Sequence, residues 1–329
     1  AMVSYPGYDN NMMANSVDAQ YYAKLMADKS TPSLNFATQY KAAPGSTFKM
    51  VTATAGLMED VLDLNTVIDC TGTFTEITPS PRCWATWGHG NQKMVSAITN
   101  SCNYYFYSLG YNLSFQNGQF EEAKGLELLQ KYAAMYGLTQ KSGVEIPEYE
   151  PDVSDEYPVH SAIGQGSNSF TTAALARYVS TIANRGTCYQ LTLISKIVDS
   201  LGEQEFPKEP VVTNRVDLPQ EYWNAFHEGM RGVVENKEYF SDLAVEVAGK
   251  TGTAEQTSSR PNHALFVCFA PTDNPEISIA TRIPFGYSSD YAAQTTRDII
   301  KYYYGLADEE DLISGTADDP EDGVSMSEM

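Results

Sequence analysis

The spacing of apolar residues divides the chain into a mainly helical first part and a strand-rich last part. In the first part, apolar residues recur at intervals of three and four, which predicts amphipathic or buried helices. A glycine or an Arg-Gly pair follows two of these segments, where helices are expected to end. The predicted helices cover residues 46–60, 94–109 on both sides of Ser101, 121–136, 171–184 and 220–234.

Toward the end of the chain the pattern changes to one typical of strands. Three β-like runs, bounded by turn-forming residues, predict a meander over residues 244–254, 264–270 and 276–283. A closing helix is predicted over residues 291–304, a further strand over 191–198, and loops with short strands over 66–91. Helices followed by a strand meander and a last helix predict an α+β fold.

The charge of the chain excludes some partners. The 329 residues include 42 Asp and Glu against 21 Lys and Arg, a formal net charge of −21. A nucleic-acid backbone binder needs a basic face, so nucleic acid is not an expected partner. Residues 307–329 are rich in acids and contain no Lys or Arg, which predicts a disordered acidic tail after one domain over residues 1–306.

The first candidate for chemistry is the pair Ser46 and Lys49 at the start of a predicted helix. Residues three apart share a helix face, and the positive end of the helix dipole disfavours a charged lysine. A neutral lysine beside a hydroxyl can serve as the general base for a serine nucleophile. The alternative is an N-terminal capping serine followed by a surface lysine, and this pair alone does not decide between them.

Two further short motifs follow. In Ser101-Cys102-Asn103, the hydroxyl could relay a proton and the amide could bind a substrate carbonyl. In Lys250-Thr251-Gly252-Thr253, a glycine within a predicted strand indicates close approach of another backbone, such as a ligand peptide at the strand edge. The lysine and the two threonines could then hold a carboxylate. The alternative for this strand is an edge strand weakened by glycine.

Taken together, the three motifs appear in the order of a known mechanistic set. With them, the sequence resembles the class B penicillin-binding proteins, the monofunctional transpeptidases, and most of all their elongation or cell-shape branch. The resemblance covers most of the chain and includes further blocks: residues 35–49, Ile163-Gly-Gln-Gly166, Ile182-Ala-Asn-Arg-Gly186, Lys250-Thr-Gly-Thr-Ala-Glu255 and Asn262-His-Ala264.

This resemblance implies a fold shared with serine β-lactamases: an antiparallel sheet flanked by helices, plus an all-helical subdomain. It also implies a peptidoglycan D,D-transpeptidase that forms an acyl-enzyme from stem peptides ending in D-Ala-D-Ala and is acylated by β-lactams. The implied roles are Ser46 as nucleophile, Lys49 as its base, Ser101 and Lys250 in proton transfer to the leaving D-Ala, Asn103 on the substrate backbone, and Thr251, Gly252 and Thr253 at the substrate terminus.

The same resemblance implies a location and partners. We expect an enzyme on the extracytoplasmic face of the bacterial membrane, anchored by an N-terminal segment outside this chain, with a membrane glycosyltransferase as partner through regions that are also absent. Two alternatives remain: a D,D-carboxypeptidase or β-lactamase, and a non-catalytic β-lactam sensor or scaffold on the same fold. Glu145 and Glu148 lie in the rough neighbourhood of a β-lactamase deacylating glutamate, without its sequence signature.

Four residues suggest a metal site: Cys70, Cys83, His89 and Cys102. Three thiols and one imidazole suit a tetrahedral zinc, and some class B proteins carry a zinc that is bound at the central residue of Ser-x-Asn. We therefore expect a structural zinc. The alternative, a disulfide between Cys70 and Cys83, leaves the other two residues unexplained. The remaining cysteines and histidines are predicted to pack or to form hydrogen bonds: Cys188, Cys268, His160, His227 and His263.

Overall fold

The structure, a computed structural model, describes residues 1–254 and 260–313. Three short 3-10 helices cover Asn10–Met13, Gly45–Phe48 and Glu238–Phe240. The α-helices in the described ranges are α1 (Ala19–Ala27), α2 (Lys49–Met58), α3 (Met94–Thr99), α4 (Asn103–Leu113), α5 (Glu122–Met135), α6 (Pro158–Ser161), α7 (Thr172–Ala183), α8 (Gln220–Glu235), α9 (Ser289–Tyr303) and α10 (Glu309–Leu312). The strands are β1 (Ile68–Cys70), β2 (Gly90–Gln92), β3 (Phe115–Gln116), β4 (Gln119–Phe120), β5 (Thr187–Tyr189), β6 (Lys196–Val198), β7 (Glu205–Pro207), β8 (Val212–Arg215), β9 (Ala248–Ala254), β10 (His263–Ala270) and β11 (Ile277–Ile283).

The central sheet is antiparallel, with strand order β11-β10-β9. Every residue of β10 is buried, because helices cover both faces of the sheet. Alternate side chains of a strand point to opposite faces. On one face, Leu265 and Val267 join the core formed with the helical part, and on the other, Phe266 and Cys268 pack in a second core with α9. The continuous apolar run of β10 therefore reflects burial on both faces.

Helix α2 lies at the centre of the helical part, against α4 and α5. All its residues from Lys49 to Leu57 are buried, so it presents no solvent-facing polar stripe. Gly56 permits the close approach of α4, because a Cβ there would lie 2.7 Å from a methyl group of Leu109. This arrangement of a helical part beside a helix-covered antiparallel sheet confirms the predicted α+β fold.

The predicted helices and the three-strand meander are confirmed within a few residues. The strand predicted over residues 191–198 is mostly wrong, since only Lys196–Val198 pair, in a hairpin with β7. Helix α1 was not predicted. The short α10 lies inside the segment that we predicted to be disordered, where acidic residues in its first turn favour a helix start. Residues 314–329 of that tail lie outside the described residues.

No helix in the described part of the chain is long and apolar enough to cross a membrane.

The two-sided burial of β10 predicts a large loss of stability for Phe266→Ala. The side chain is 0% exposed, and loss of a buried phenylalanine costs about 3–5 kcal/mol. Phe206→Ala is the matched control, because Phe206 in the β6–β7 hairpin is 53% exposed and its truncation should change stability by less than about 1 kcal/mol. Urea unfolding of both variants measures the difference, and equal losses would contradict the packing described here.

Candidate active site

The segment that carries Ser46 is a 3-10 helix, Gly45–Phe48, which continues directly into α2. The predicted helix start is therefore confirmed, although its first turn is tighter than an α-helix. Gly45 has φ +51°, and a Cβ at this position would clash with the carbonyl of Thr253 in β9. Ser46 is half-buried, and Lys49, one turn later on the same helix face, is fully buried.

The ammonium group of Lys49 contacts the Ser-x-Asn motif. Its Nζ donates to Ser101 O at 2.9 Å, to Ser101 Oγ at 3.2 Å and to Asn103 Oδ1 at 2.7 Å. Within the described residues, its side chain has no hydrogen bond to Ser46 Oγ. Catalytic hydrogen bonds are often long before substrate binds, so this geometry remains compatible with Lys49 as the base of Ser46.

Ser101 lies in the loop between α3 and α4, in a left-handed backbone conformation with φ +49°. Its N–H donates to Ile98 O at 3.1 Å, and the N–H of Cys102 donates to Ala97 O at 2.9 Å. Lys250 reaches the same side chain from β9, since its Nζ donates to Ser101 Oγ at 2.8 Å. The Ser101 hydroxyl therefore lies between two lysines from distant parts of the chain.

Burial dominates the electrostatics of these lysines. It lowers the pKa of Lys49 to about 7, with the nearby Cys102 and Cys83 acting in the opposite direction. Burial, and next the charge of Lys49, also lowers the pKa of Lys250 well below its ordinary value. Two ammonium groups beside one hydroxyl in a water-poor site repel each other, so the loss of a proton from one of them is favoured. The pair can accept and return protons through Ser101.

Strand β9 forms the open edge of the central sheet and carries the threonines. Thr253 is exposed, and its carbonyl accepts a hydrogen bond from Gln165 Nε2 at 3.3 Å, so this carbonyl faces away from β10. Thr251 is half-buried. At Gly252, a Cβ would lie 2.7 Å from the carbonyl oxygen of Pro44. The glycine in this strand therefore permits the approach of the segment before Ser46.

The structure adds Gly164 and Gln165 to the wall of the site. The N–H of Gly45 donates to Gly164 O at 3.1 Å, and a Cβ on Gly164 would clash with the Gly45 carbonyl. A sequence signal for these residues is present in the block Ile163-Gly-Gln-Gly166, but no local pattern indicates which chain segment this block contacts.

The four candidate metal ligands are close together, although they come from the end of β1, the loop between β1 and β2, and the start of α4. One ligand atom from each of Cys70, Cys83, His89 and Cys102 lies within 4.8 Å of all the others. The Nδ1 atom of His89 lies 3.6 Å from the Cys70 sulfur and 3.5 Å from the Cys83 sulfur. All five cysteines are free thiols. Since Cys102 separates Ser101 from Asn103, this cluster is directly linked to the catalytic motif.

The residues that we expected to pack or to form hydrogen bonds lie outside this cluster. Cys188 and Cys268 are fully buried. His227 Nε2 bonds to Ile182 O at 2.9 Å, and His263 Nε2 bonds to Tyr40 Oη at 3.2 Å. His160 contacts aromatic rings, among them that of Tyr107.

Comparison with known proteins identifies the family. Residues 1–301 match the penicillin binding protein transpeptidase domain. The chain belongs to this family. It is 28% identical over 341 residues to the peptidoglycan D,D-transpeptidase MrdA of Haemophilus influenzae, covering 92% of this chain and 50% of that protein. It is also 27% identical to penicillin-binding protein 2B of Streptococcus pneumoniae, over 79% of this chain and 43% of that protein. These relatives agree with the predicted class B, elongation-type assignment.

Solved structures of penicillin-binding proteins show the same fold. PBP2 of Pseudomonas aeruginosa, in complex with WCK 5153, superposes with a TM-score of 0.81 at 28% identity, over 93% of this transpeptidase domain and 70% of that chain. The imipenem acyl-enzyme of Mycobacterium tuberculosis penicillin-binding protein A has a TM-score of 0.79 at 24% identity, over 92% and 70% of the two chains. The chain spans about half the length of the curated relatives that it matches.

Because both lysines are buried, their pKa values should lie below the ordinary lysine value. We expect the Lys49 side chain to titrate near pH 7, because burial disfavours its charged form. Lys131 is the control, because it pairs with Glu59 near the surface, which raises its pKa. Lysine-selective NMR over pH 5–11, with Lys49→Gln to assign the signal, measures both. A Lys49 midpoint near the ordinary lysine value would contradict the described environment.

Proposed function

We propose that this chain is the catalytic domain of a peptidoglycan D,D-transpeptidase with Ser46 as nucleophile. The observation that carries the proposal concerns Lys49, which lies one helical turn after Ser46. Its Nζ contacts both Asn103 and the Ser101 hydroxyl, and Lys250 bonds to the same hydroxyl. The substrate is a stem peptide ending in D-Ala-D-Ala, and β-lactams acylate the same serine. Family membership and the MrdA relatives support this reaction class.

In the acylation step, Ser46 Oγ attacks the carbonyl carbon of the penultimate D-Ala. The Oγ–C bond forms, the C–N bond to the terminal D-Ala breaks, and the proton of Ser46 passes to Lys49. The leaving amine takes a proton from Ser101, which is replenished by the adjacent Lys250. The amine of a second stem peptide then attacks the acyl carbon, so that the new N–C bond forms and the Oγ–C bond breaks. The proton lost by this amine passes through Ser101 to Lys250, and Lys49 returns its proton to Ser46 Oγ. In a β-lactam the broken C–N bond belongs to the ring, so the amine stays attached.

The developing oxyanion requires two N–H donors. We assign these to Ser46, in the first turn of its helix, where backbone N–H groups lack helical partners, and to Thr253 on the open edge of β9. The terminal carboxylate of the substrate lies near Thr251, Gly252 and Thr253, where Lys250 supplies positive charge. Asn103 binds the substrate backbone and also holds Lys49.

The cellular setting is also a proposal, because the chain matches about half of each MrdA relative. We propose an enzyme of the elongation or cell-shape branch on the extracytoplasmic face of the bacterial membrane, anchored by a segment outside this chain. A similar solved structure is described as a peptidoglycan synthase complex that coordinates polymerization and crosslinking, at 26% identity and TM-score 0.80, over 93% of this chain and 54% of that chain. It supports a membrane glycosyltransferase as partner.

The β-lactamase alternative gains no support from Glu145 and Glu148. Glu148 is buried and accepts hydrogen bonds from Ser142 and Thr171. Glu145 accepts from Thr192 and from the backbone of residue 193. Both carboxylates are thus engaged away from Ser46, whereas a deacylating base must reach the acyl-enzyme carbonyl through a water.

Ser46 should form a lasting covalent adduct with benzylpenicillin. We expect intact-mass spectrometry to show one added penicillin in the native protein and none in Ser46→Ala, because that variant lacks the attacking oxygen. Ser16→Ala is a matched control on an exposed serine and should be labelled like the native protein. Rapid turnover of the adduct would indicate a β-lactamase or carboxypeptidase, and labelling of Ser46→Ala would reject the nucleophile.

We further propose that Cys70, Cys83, His89 and Cys102 hold a structural zinc. Three buried thiols and an imidazole nitrogen within 4.8 Å of one another match the donor set of closed zinc sites. The metal supplies no chemistry to the reaction. It fixes the loop of residues 71–91 against Cys102 and therefore stabilises the backbone of Ser101 and Asn103. A disulfide between Cys70 and Cys83 would leave Cys102 in the cluster without a role.

Removal of zinc should lower stability measurably. We expect native mass spectrometry to show one zinc per chain, and a strong chelator to lower the midpoint of thermal unfolding by at least about 5 °C. Cys70→Ala should lose the metal, whereas Cys188→Ala, which removes a buried thiol outside the cluster, should retain it. Retention of zinc by Cys70→Ala, or a Cys70–Cys83 disulfide in peptide mapping, would reject the proposed site.

A further inference from the structure

Residues 40–44, which lead into the Ser46 helix, are tied to the central sheet by Tyr40. The Tyr40 hydroxyl lies 3.2 Å from His263 Nε2 at the start of β10, with the two rings edge to face. At the other end of the residue, Arg282 Nη1 in β11 donates to the Tyr40 carbonyl at 3.2 Å. We call Tyr40, His263 and Arg282 the Tyr40 clamp. Both the side chain and the backbone of Tyr40 therefore bond to the sheet.

The hydrogen bonds of His263 have a defined direction. The backbone N–H of Phe285 donates to His263 Nδ1 at 3.0 Å, so Nδ1 is an acceptor. In a neutral imidazole the proton then lies on Nε2, which donates to the Tyr40 oxygen. Burial, and next the charge of Arg282, lowers the pKa of His263 to about 4, which keeps the ring neutral at neutral pH.

Arg282 also depends on this contact. Its guanidinium is buried, which lowers its pKa to about 10, and among the described residues its Nε and Nη2 atoms have no hydrogen-bond partner. The bond to the Tyr40 carbonyl is thus the anchor of this side chain. A buried cation with one backbone acceptor among the described residues is costly, so the bond to the Tyr40 carbonyl matters for the stability of this side chain.

The clamp differs from the other contacts between the Ser46 segment and the sheet. Gly45 lies against the Thr253 carbonyl, and Gly252 lies against the Pro44 carbonyl. These glycines permit close approach, but van der Waals contacts of this kind do not fix how far the segment slides along the strand. Hydrogen bonds are directional and do fix it. The Tyr40 clamp thus supplies direct hydrogen bonds from this segment to the sheet, in addition to the indirect link from Gly45 through Gly164 and Gln165 to the Thr253 carbonyl.

We propose that Tyr40, His263 and Arg282 are positioning residues that hold the Ser46 segment in register with β9, so that the N–H groups of Ser46 and Thr253 converge on one carbonyl oxygen. The inference rests on the proposed function, since the convergence matters only for acyl transfer. None of the three residues contacts the reacting atoms. Their effect is on the transition state, because the oxyanion forms only there.

The first experiment is Tyr40→Phe, which removes one hydroxyl and retains the ring. Stopped-flow acylation by a fluorescent penicillin separates the acylation rate constant from the dissociation constant of the non-covalent complex. We expect the rate constant to fall about 5- to 50-fold, with the dissociation constant changed less than about twofold, because a displaced oxyanion donor acts on the transition state.

The matched control is Tyr304→Phe. The Tyr304 hydroxyl donates to Ala270 O at 3.1 Å, at the opposite end of β10, so the variant loses a similar bond to the same strand far from the Ser46 segment. We expect its acylation rate constant to stay within about twofold of the native value. Thermal unfolding of both variants establishes that each is folded at the assay temperature.

Two variants of His263 distinguish a positioning role through the bond to Tyr40 from a structural role through the bond to the Phe285 backbone. In His263→Gln the amide nitrogen can replace Nε2 and retain the bond to Tyr40, whereas in His263→Asn the amide oxygen can replace Nδ1 and retain only the bond to Phe285. The proposal predicts faster acylation of the Gln variant. A purely structural role at Phe285 predicts the reverse order.

The outcomes distinguish this inference from the proposed function. If native protein is acylated and Tyr40→Phe matches Tyr304→Phe, or if His263→Asn exceeds His263→Gln, the positioning role is overturned while the transpeptidase proposal stands. If folded native protein forms no adduct with any penicillin, the proposed function fails and the positioning role fails with it.

Discussion

The burial of two lysine ammonium groups against one serine hydroxyl is the constraint on which the rest of the structure depends. Lys49 and Lys250 are both 0% exposed, and both bond to Ser101 Oγ. Burying a charge without a compensating anion is expensive, and the usual response is loss of the proton. The site therefore holds two lysines whose pKa values lie below that of a free lysine. That condition requires a surrounding fold that excludes water.

The fold excludes water by burying α2 and by packing the 3-10 turn at the start of this helix against the sheet. Helix α2 is buried along nearly its whole length, and β10 next to the Lys250 strand is buried on both faces. The 3-10 turn before α2 and strand β9 approach each other so closely that only glycine fits at positions 45 and 252. Ser101, which both lysines contact, adopts a left-handed backbone conformation without being a glycine, and this conformation is strained. The thiol cluster at Cys102 lies immediately beside that residue.

Sequence patterns predicted the helices and strands that carry the candidate site residues. They failed in segments where the hydrophobic pattern was short or weak. The long periodic segments, such as residues 121–136 and 220–234, became α5 and α8. The region 191–198 failed because its short alternation had no buried face to fill, and Ile197 in the resulting hairpin is 61% exposed. The net charge of −21 was a poor guide to the ligand, since two buried lysines determine the local potential.

The sequence by itself determined which chemical groups are available and on which elements they lie. A serine and a lysine one turn apart, and a lysine beside a glycine in a strand, are local facts that follow from spacing and residue type. Only the tertiary structure decided which groups meet. Lys250 reaches Ser101 across 149 residues, and Tyr40 reaches Arg282 across 242. Such contacts depend on how helices and sheet pack, because no local pattern encodes the distance between remote segments.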